Sequence, residues 1–160
     1  MGKGKGAKGE RAGGPPTIHN RKARHDYHIL DSMEAGVVLK GNEVKSIRQG
    51  KVTLHDAFAR VTKGEAWLCG CHINPYQAQN TFTTYDPMRD RKLLLHKRQI
   101  AQLAAATQEK GMTLLPLKLY FKKGQVKIEL GVGKGKKQYD KREDLKRRDA
   151  EREMDRAMKR

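Results

Sequence analysis

Apolar and polar positions alternate through most of the middle of the chain. In residues 126–132, Val126, Ile128, Leu130 and Val132 alternate with Lys127, Glu129 and Gly131, the period of two that turns one side of a strand to a core and the other to solvent. Short runs rich in β-branched and aromatic residues predict further strands over Tyr27–Leu30, Glu34–Leu39, Leu54–Val61, Glu65–His72 and Leu114–Phe121. Thr62-Lys63-Gly64-Glu65 and Lys122-Lys123-Gly124-Gln125 each carry the glycine of a tight turn, so both join their flanking strands as hairpins. The period changes twice. Glu43–Gln49 predicts a helix, with Asn42 as cap, Gly50 as stop, Val44 and Ile47 inward and Lys45 and Arg48 outward. Lys97–Lys110 predicts a second, burying Ile100, Leu103, Ala104 and Thr107 and ending at Gly111.

Short antiparallel strands with intervening helices predict a mainly β fold. The simplest is a small closed barrel of the oligonucleotide-binding (OB) type, because closure removes exposed strand edges; an open sheet with helices on one side is the alternative. Three parts are expected: a disordered basic arm over residues 1–16, rich in Gly and Lys and ending in Gly-Gly-Pro-Pro; a β body over 17–137; and a charged tail over 138–160. The tail reads as a helix with acid-first pairs at i,i+4 (Glu143 with Arg147, Asp144 with Arg148, Asp155 with Lys159). Its thin apolar stripe of Ala150, Met154, Ala157 and Met158 is too narrow to dock strongly, so a partner is expected to order it.

Charge then narrows the function. The formal net charge is +17 in 160 residues, and it is densest at the two ends, which points to a polyanionic partner. The strand ending at Val132 runs into Lys134, Lys136 and Lys137, with Gly131, Gly133 and Gly135 spaced through the junction. Glycines there are expected to let another backbone approach while the lysines meet phosphate. Cys69 and Cys71 lie in an apolar stretch with no further ligands nearby, and read as reduced core residues on one strand face. Neither a long apolar run nor an apolar stretch behind the N-terminal lysines is present, so a cytoplasmic protein is expected, and the lack of a large apolar stripe suggests a monomer. For catalysis the candidate group would be His25, His28, Asp26, Asp31 and Glu34. Strand alternation does not put all of them on one face and no catalytic, metal-binding or nucleotide-binding motif occurs, so neither an enzyme nor a metal or cofactor is expected.

Five ordered motifs carry a resemblance: Asn20-Arg-Lys-Ala-Arg-His-Asp-Tyr27, Glu34-Ala-Gly36, Gly41-Asn-Glu-Val-Lys-Ser-Ile-Arg48, Asp86-Pro87 with Arg91-Lys-Leu-Leu-Leu95, and Gly131-Val-Gly-Lys-Gly-Lys-Lys-Gln-Tyr-Asp-Lys-Arg142. Over residues 17–160 the chain resembles the SsrA-binding protein (SmpB) family of bacterial trans-translation. The resemblance implies an OB-type barrel that binds the tRNA-like domain of transfer-messenger RNA, and a tail that enters the decoding centre and empty messenger channel of the small ribosomal subunit. It implies that Asn20, Arg24, His25, Glu34, Leu94 and Lys127 belong to the RNA-binding surface, to which the outward cations Arg21, Lys45, Arg48, Lys134, Lys136 and Lys137 are added on charge. Asn20 and Glu34 suit bases or riboses, Arg24 and Lys127 phosphates, His25 stacking, and Leu94 the cover of an unstacked base. Glu34 would repel phosphate, so it either accepts from a base donor or pairs with an arginine; from the residues alone Leu94 reads more readily as core, because Leu93-Leu94-Leu95 must bury at least one member. Tyr139, Asp140, Lys141, Arg142, Lys146, Arg147, Met154 and Met158 are the expected ribosome-binding residues of the tail. Two positions depart from the family pattern: Tyr139 replaces a histidine, which keeps stacking and removes a titratable charge, and Asn42 replaces a threonine or a large aromatic. A protein that only coats ribosomal RNA shares the charge and the extensions and is the competing reading.

Overall fold

The structure, a computed structural model, describes residues 14–76 and 85–159, with Gln138 and Tyr139 described in backbone only. The expected arm therefore lies, up to residue 13, outside the described residues. The elements run β1 (Ile18–His19), α1 (Arg21–Asp26), β2 (Tyr27–Val37), α2 (Gly41–Arg48), β3 (Val52–Thr53), β4 (Phe58–Thr62), β5 (Glu65–Cys69), β6 (His72–Ile73), β7 (Arg91–Leu94), α3 (Lys97–Gln108), β8 (Met112–Lys122), β9 (Gln125–Gly135) and α4 (Gln138–Met158).

Both predicted hairpins form. Lys63 and Gly64 have φ of 51° and 73°, and Lys123 and Gly124 have 51° and 76°, the paired left-handed conformation whose twist matches the flanking strands. Seven strands make one sheet in the order β1-β8-β4-β5-β7-β2-β9; β8 also bonds to β9, while its junction with β4 is the single pair Ala59↔Leu114. The inner face holds the core, including Ile47, Leu68, Leu93, Leu103, Leu114 and Ile128.

Several elements differ from expectation. The strands expected over 27–30 and 34–39 are one strand, β2, because a bulge between Ile29 and Asp31 absorbs the polar interruption and leaves Leu30 outside. The run expected over 54–61 pairs only from Phe58, after a turn closed by Ala57 N–H donating to the Leu54 carbonyl, 3.0 Å. The run over 65–72 breaks at Gly70, whose φ of 71° ends β5. Cys69 and Cys71 are buried and free, as expected of core thiols, but they flank that break instead of sharing a strand face. α2 starts at Gly41 with Lys40 as cap, not Asn42, because the Glu43 carboxylate accepts from the Lys40 N–H, 2.9 Å.

One charged group lies inside the core. Arg91 and Glu43 are both fully buried, joined Nε to Oε2 at 2.6 Å. Arg91 also donates to the carbonyls of Cys71 (2.6 Å) and Pro87 (3.0 Å), and Arg89 donates to the other Glu43 oxygen. The network ties α2 to β7. Burial would push the Glu43 carboxyl up, but hydrogen bonds from Arg89, the Lys40 N–H and Arg91 outweigh it and hold the carboxyl below its ordinary 4.5. A depressed carboxylate contributes stability above the unfolded pKa and loses it as pH falls through the folded value, so this contribution is present at neutral pH and disappears in acid below about 4.5. Arg91→Met leaves Glu43 short of its fully buried partner and is expected to cost about 3–5 kcal/mol by urea denaturation at neutral pH, with Glu43→Gln/Arg91→Met together costing less than the single change. A cost under about 1 kcal/mol would show the pair to be structurally dispensable.

Candidate RNA interface

α1 packs on the outer face of the sheet against β2 and β8. Asn20 holds that helix in place: its Nδ2 donates to the carbonyls of Leu54 (3.0 Å) and Pro116 (2.8 Å), its Oδ1 accepts from the Ala23 N–H (3.2 Å), and its own N–H donates to the Leu117 carbonyl (2.8 Å). Expected on the RNA surface, Asn20 is only 2% exposed, because its donors are all used inside the protein. It positions Arg21 and Arg24, which are exposed, and His25, whose Nδ1 is 2.8 Å from Asp26 Oδ1.

Ala23, the single buried residue of α1, packs with Leu115 and Leu117 and is flanked by Tyr27 and Ile29 in an outer apolar cluster separate from the main core. β9 passes this cluster as Gly131 and Gly133. A Cβ at 131 would lie 2.9 Å from Leu117 Cδ1, and one at 133 would lie 3.2 Å from Tyr27 Cβ. The expectation that these glycines admit a nucleic-acid backbone is thereby corrected: they admit the protein's own side chains. Gly135, where a Cβ would meet nothing within 4 Å, stays open.

Along the same face, beyond α1, cross-strand pairing lines up Leu94, Gly36, Lys127 and Tyr120 on β7, β2, β9 and β8, with Glu34, Glu129 and Lys118 in the adjoining outward row. Leu94 is 54% exposed beside Leu93 at 1%, so the core member of the leucine run is Leu93. A leucine side chain kept in solvent on a sheet face, lying over the bare backbone of Gly36, is available to a ligand. Glu34 accepts a hydrogen bond from the Tyr120 hydroxyl and has Lys122 Nζ at 3.4 Å, so its partners within the protein are a tyrosine and a lysine, not the arginine that was one of the two alternatives. The Tyr120 hydrogen bond, reinforced by Lys122, holds Glu34 below the usual carboxylate range, while burial and Glu34 push the Tyr120 hydroxyl up to about 12. The carboxylate is therefore charged and fixed, with lone pairs left for an incoming donor. Lys45 and Arg48 are not brought into these rows; they stand on α2, 5.4 Å from the Tyr76 ring centre and 5.7 Å from that of Phe121.

The lysine cluster after β9 divides. Lys134 and Lys137 are exposed, whereas the Lys136 side chain is 5% exposed, its Nζ donating to the Arg24 carbonyl at 3.2 Å and ion-paired with Asp144. Lys141 adds a bridge to Asp26 (3.3 Å) and His28 Nε2 lies 3.6 Å from Asp140 Oδ2. Hydrogen bonding to Lys136 holds Asp144 below its ordinary value; His25, then Lys141, do the same for Asp26. α4 is thus fastened at its base to α1 and β2, and from Leu145 to Lys159 every residue is exposed, Lys146, Arg147, Met154 and Met158 among them, as is Arg142. Its short ion pairs are three apart, Asp144 with Arg147 and Asp149 with Arg152, not the expected four. The Tyr139 side chain lies outside the described residues. The alternative catalytic group is split among His25 with Asp26, His28 with Asp140, and Glu34 with Tyr120, and no metal-capable cluster occurs among the described residues.

The sequence model of the family described as SmpB protein matches residues 17–160. The chain belongs to the SmpB family. Curated SmpB relatives include the SsrA-binding proteins of Acetivibrio thermocellus, 61% identical over 143 residues (89% of this chain, 92% of that one), and of Carboxydothermus hydrogenoformans, 59% identical over 140 residues (88% and 93%). A solved chain from a structure reported as "tmRNA-SmpB: a journey to the center of the bacterial ribosome" superposes with a TM-score of 0.65 at 48% identity, covering 77% of this chain and 86% of that chain. The mainly β sheet with short helices is thus the SmpB architecture.

Gly131→Ala is expected to lower stability by about 1–3 kcal/mol in chemical denaturation, since Leu117 must move from under α1. Gly135→Ala, in open space, should change it by less than about 0.5 kcal/mol. Equal effects would contradict the packing of α1 on the bare strand.

Proposed function

We propose that this SmpB-family chain is a non-catalytic adaptor of trans-translation. The outer face of β7, β2, β9 and β8, together with α1, binds the tRNA-like domain of transfer-messenger RNA. The tail, α4, occupies the decoding centre and empty messenger channel of a stalled ribosome, which permits tagging of the nascent chain and release of the ribosome. Family membership supports both partners. The observation that carries the assignment of the face is the exposed Leu94 beside the prefixed Glu34 and Lys127, continuous with the cations of α1: apolar cover, a carboxylate acceptor and phosphate-neutralising charge are the means by which folded RNA loops are recognised.

The double engagement of β8, with β9 on one side and β4 on the other, supports a sheet closing on itself as an OB-type barrel. The division into a β body over 17–137 and a tail from 138 is supported by the exposure of α4 beyond Asp144. No helix among the described residues is long and apolar enough to cross a membrane, and an adaptor that meets ribosomes would act in the cytoplasm. In this reading Arg21, Arg24, Lys127, Lys134 and Lys137 neutralise phosphates, Glu34 and Leu94 contact bases, and His25 stacks. Asn20 and Lys136 position α1 and α4 from inside. The 21-residue helix α4, at 1.5 Å per residue, reaches roughly 30 Å, long enough to follow a messenger channel beyond a codon.

Removing residues 145–160, beyond the fastened base of α4, is expected to leave affinity for the tRNA-like domain nearly unchanged in a gel shift and to abolish tagging of stalled chains in a reconstituted translation reaction. Parallel loss of both would show the tail to be part of the RNA grip.

A further inference from the structure

A cleft of about 390 Å³ lies between α1 and the turn that leads into β4, apart from the rows of the outer sheet. Tyr27 and Leu115 form its inner side, Lys22 stands on the α1 wall, and His55, Asp56 and Phe58 stand on the other. Its size falls within the ~300–1,000 Å³ of small-ligand sites. Phe58 is 42% exposed, a large apolar ring left in solvent at the lip. Both walls are fixed. Asn20 Nδ2 bonds the Leu54 carbonyl, tying α1 to the turn, and the turn rests on the backbone of Gly70, where a Cβ would lie 2.9 Å from the Asp56 carbonyl oxygen. Lys22 Nζ reaches Asp56 Oδ1 at 3.0 Å across the mouth, between side chains 52% and 82% exposed, a pair that solvent screens and that opens at little cost.

We propose that this cleft is a subsite for one unpaired nucleobase of the bound RNA, stacked on Phe58 and donating an amino or imino N–H to Asp56, while Lys22 turns to the adjoining phosphate. This rests on the RNA-binding reading of the outer face. The chemistry suits a base better than another small ligand: an aromatic ring gives stacking that any base accepts, a carboxylate accepts from the donors on a base edge, and a lysine meets the phosphate that every nucleotide brings. A duplex does not enter, because its bases are already stacked; the site takes a nucleotide splayed out of a loop, the form in which proteins read RNA sequence. Lys22, Ala23 and Asp26 of α1 line the cleft, so a strand of RNA that meets the exposed Arg21 and Arg24 of that helix passes its mouth.

The test is fluorescence anisotropy of the tRNA-like domain of transfer-messenger RNA with full-length Phe58→Ala, Phe58→Trp, Asp56→Asn and Glu34→Ala, with thermal melts of each protein. Phe58→Ala is expected to weaken binding roughly tenfold at unchanged melting temperature, with Phe58→Trp keeping wild-type affinity and Asp56→Asn weakening it. Wild-type affinity of Phe58→Ala and Asp56→Asn alongside weakened Glu34→Ala would overturn the subsite and leave the RNA face standing. Unchanged affinity in all three would overturn the reading of the face and the subsite with it.

Discussion

α1 can lie against the sheet because β9 carries no side chain at Gly131 and Gly133. Leu115, Leu117, Ile29 and Tyr27 fill the space that two Cβ atoms would take, and Ala23 closes on them, so a helix of six residues with one buried side chain is held where its own helical propensity would not hold it. Asn20 completes the attachment with four hydrogen bonds to backbone and caps the first turn. From this placement comes a cationic helix on the same face as Leu94, Glu34 and Lys127. The cleft beside Phe58 and the seat for the base of α4 follow from it as well.

The two ends of the molecule meet at that helix. Asp26 closes α1, pairs with its neighbour His25 and receives Lys141 from the tail, while the Arg24 carbonyl receives Lys136. The direction in which α4 leaves the body is therefore set by the element that carries the exposed cations Arg21 and Arg24. A rigid junction suits an adaptor, whose work is to keep two RNA surfaces at a fixed separation, and the exposed length of α4 beyond Asp144 supplies the reach.

What the sequence showed and hid follows from range. The hairpins at Lys63-Gly64 and Lys123-Gly124 were legible because turn chemistry is local, and so was the alternation of β9. The buried pair Glu43–Arg91 was hidden because its members are 48 residues apart and each looks like a surface charge. β7 begins with that inward arginine, which breaks the apolar alternation that would have marked it. α1 was missed for want of an apolar stripe: Ala23 is its whole buried face, and the one signal was Asn20 in capping position ahead of it. Gly131 and Gly133 were legible as places of close approach, but the approaching groups come from β8 and β2, which no local pattern reveals, and nothing approaches Gly135. Lys136 is set apart from Lys134 and Lys137 by Asp144, eight residues on, and by the distant Arg24 carbonyl, so the three lysines looked alike.

One preformed face that recognises a tRNA-like RNA fold, beyond attracting phosphate by charge, should discriminate between RNAs of equal charge. The most direct measurement is competition between transfer-messenger RNA and an equally long structured RNA for the full-length protein at moderate salt, where the net charge of +17 favours both alike. A preference of about a hundredfold or more, on the order of 3 kcal/mol, is the predicted result. Equal binding would contradict it and leave a general coat of ribosomal RNA as the better description.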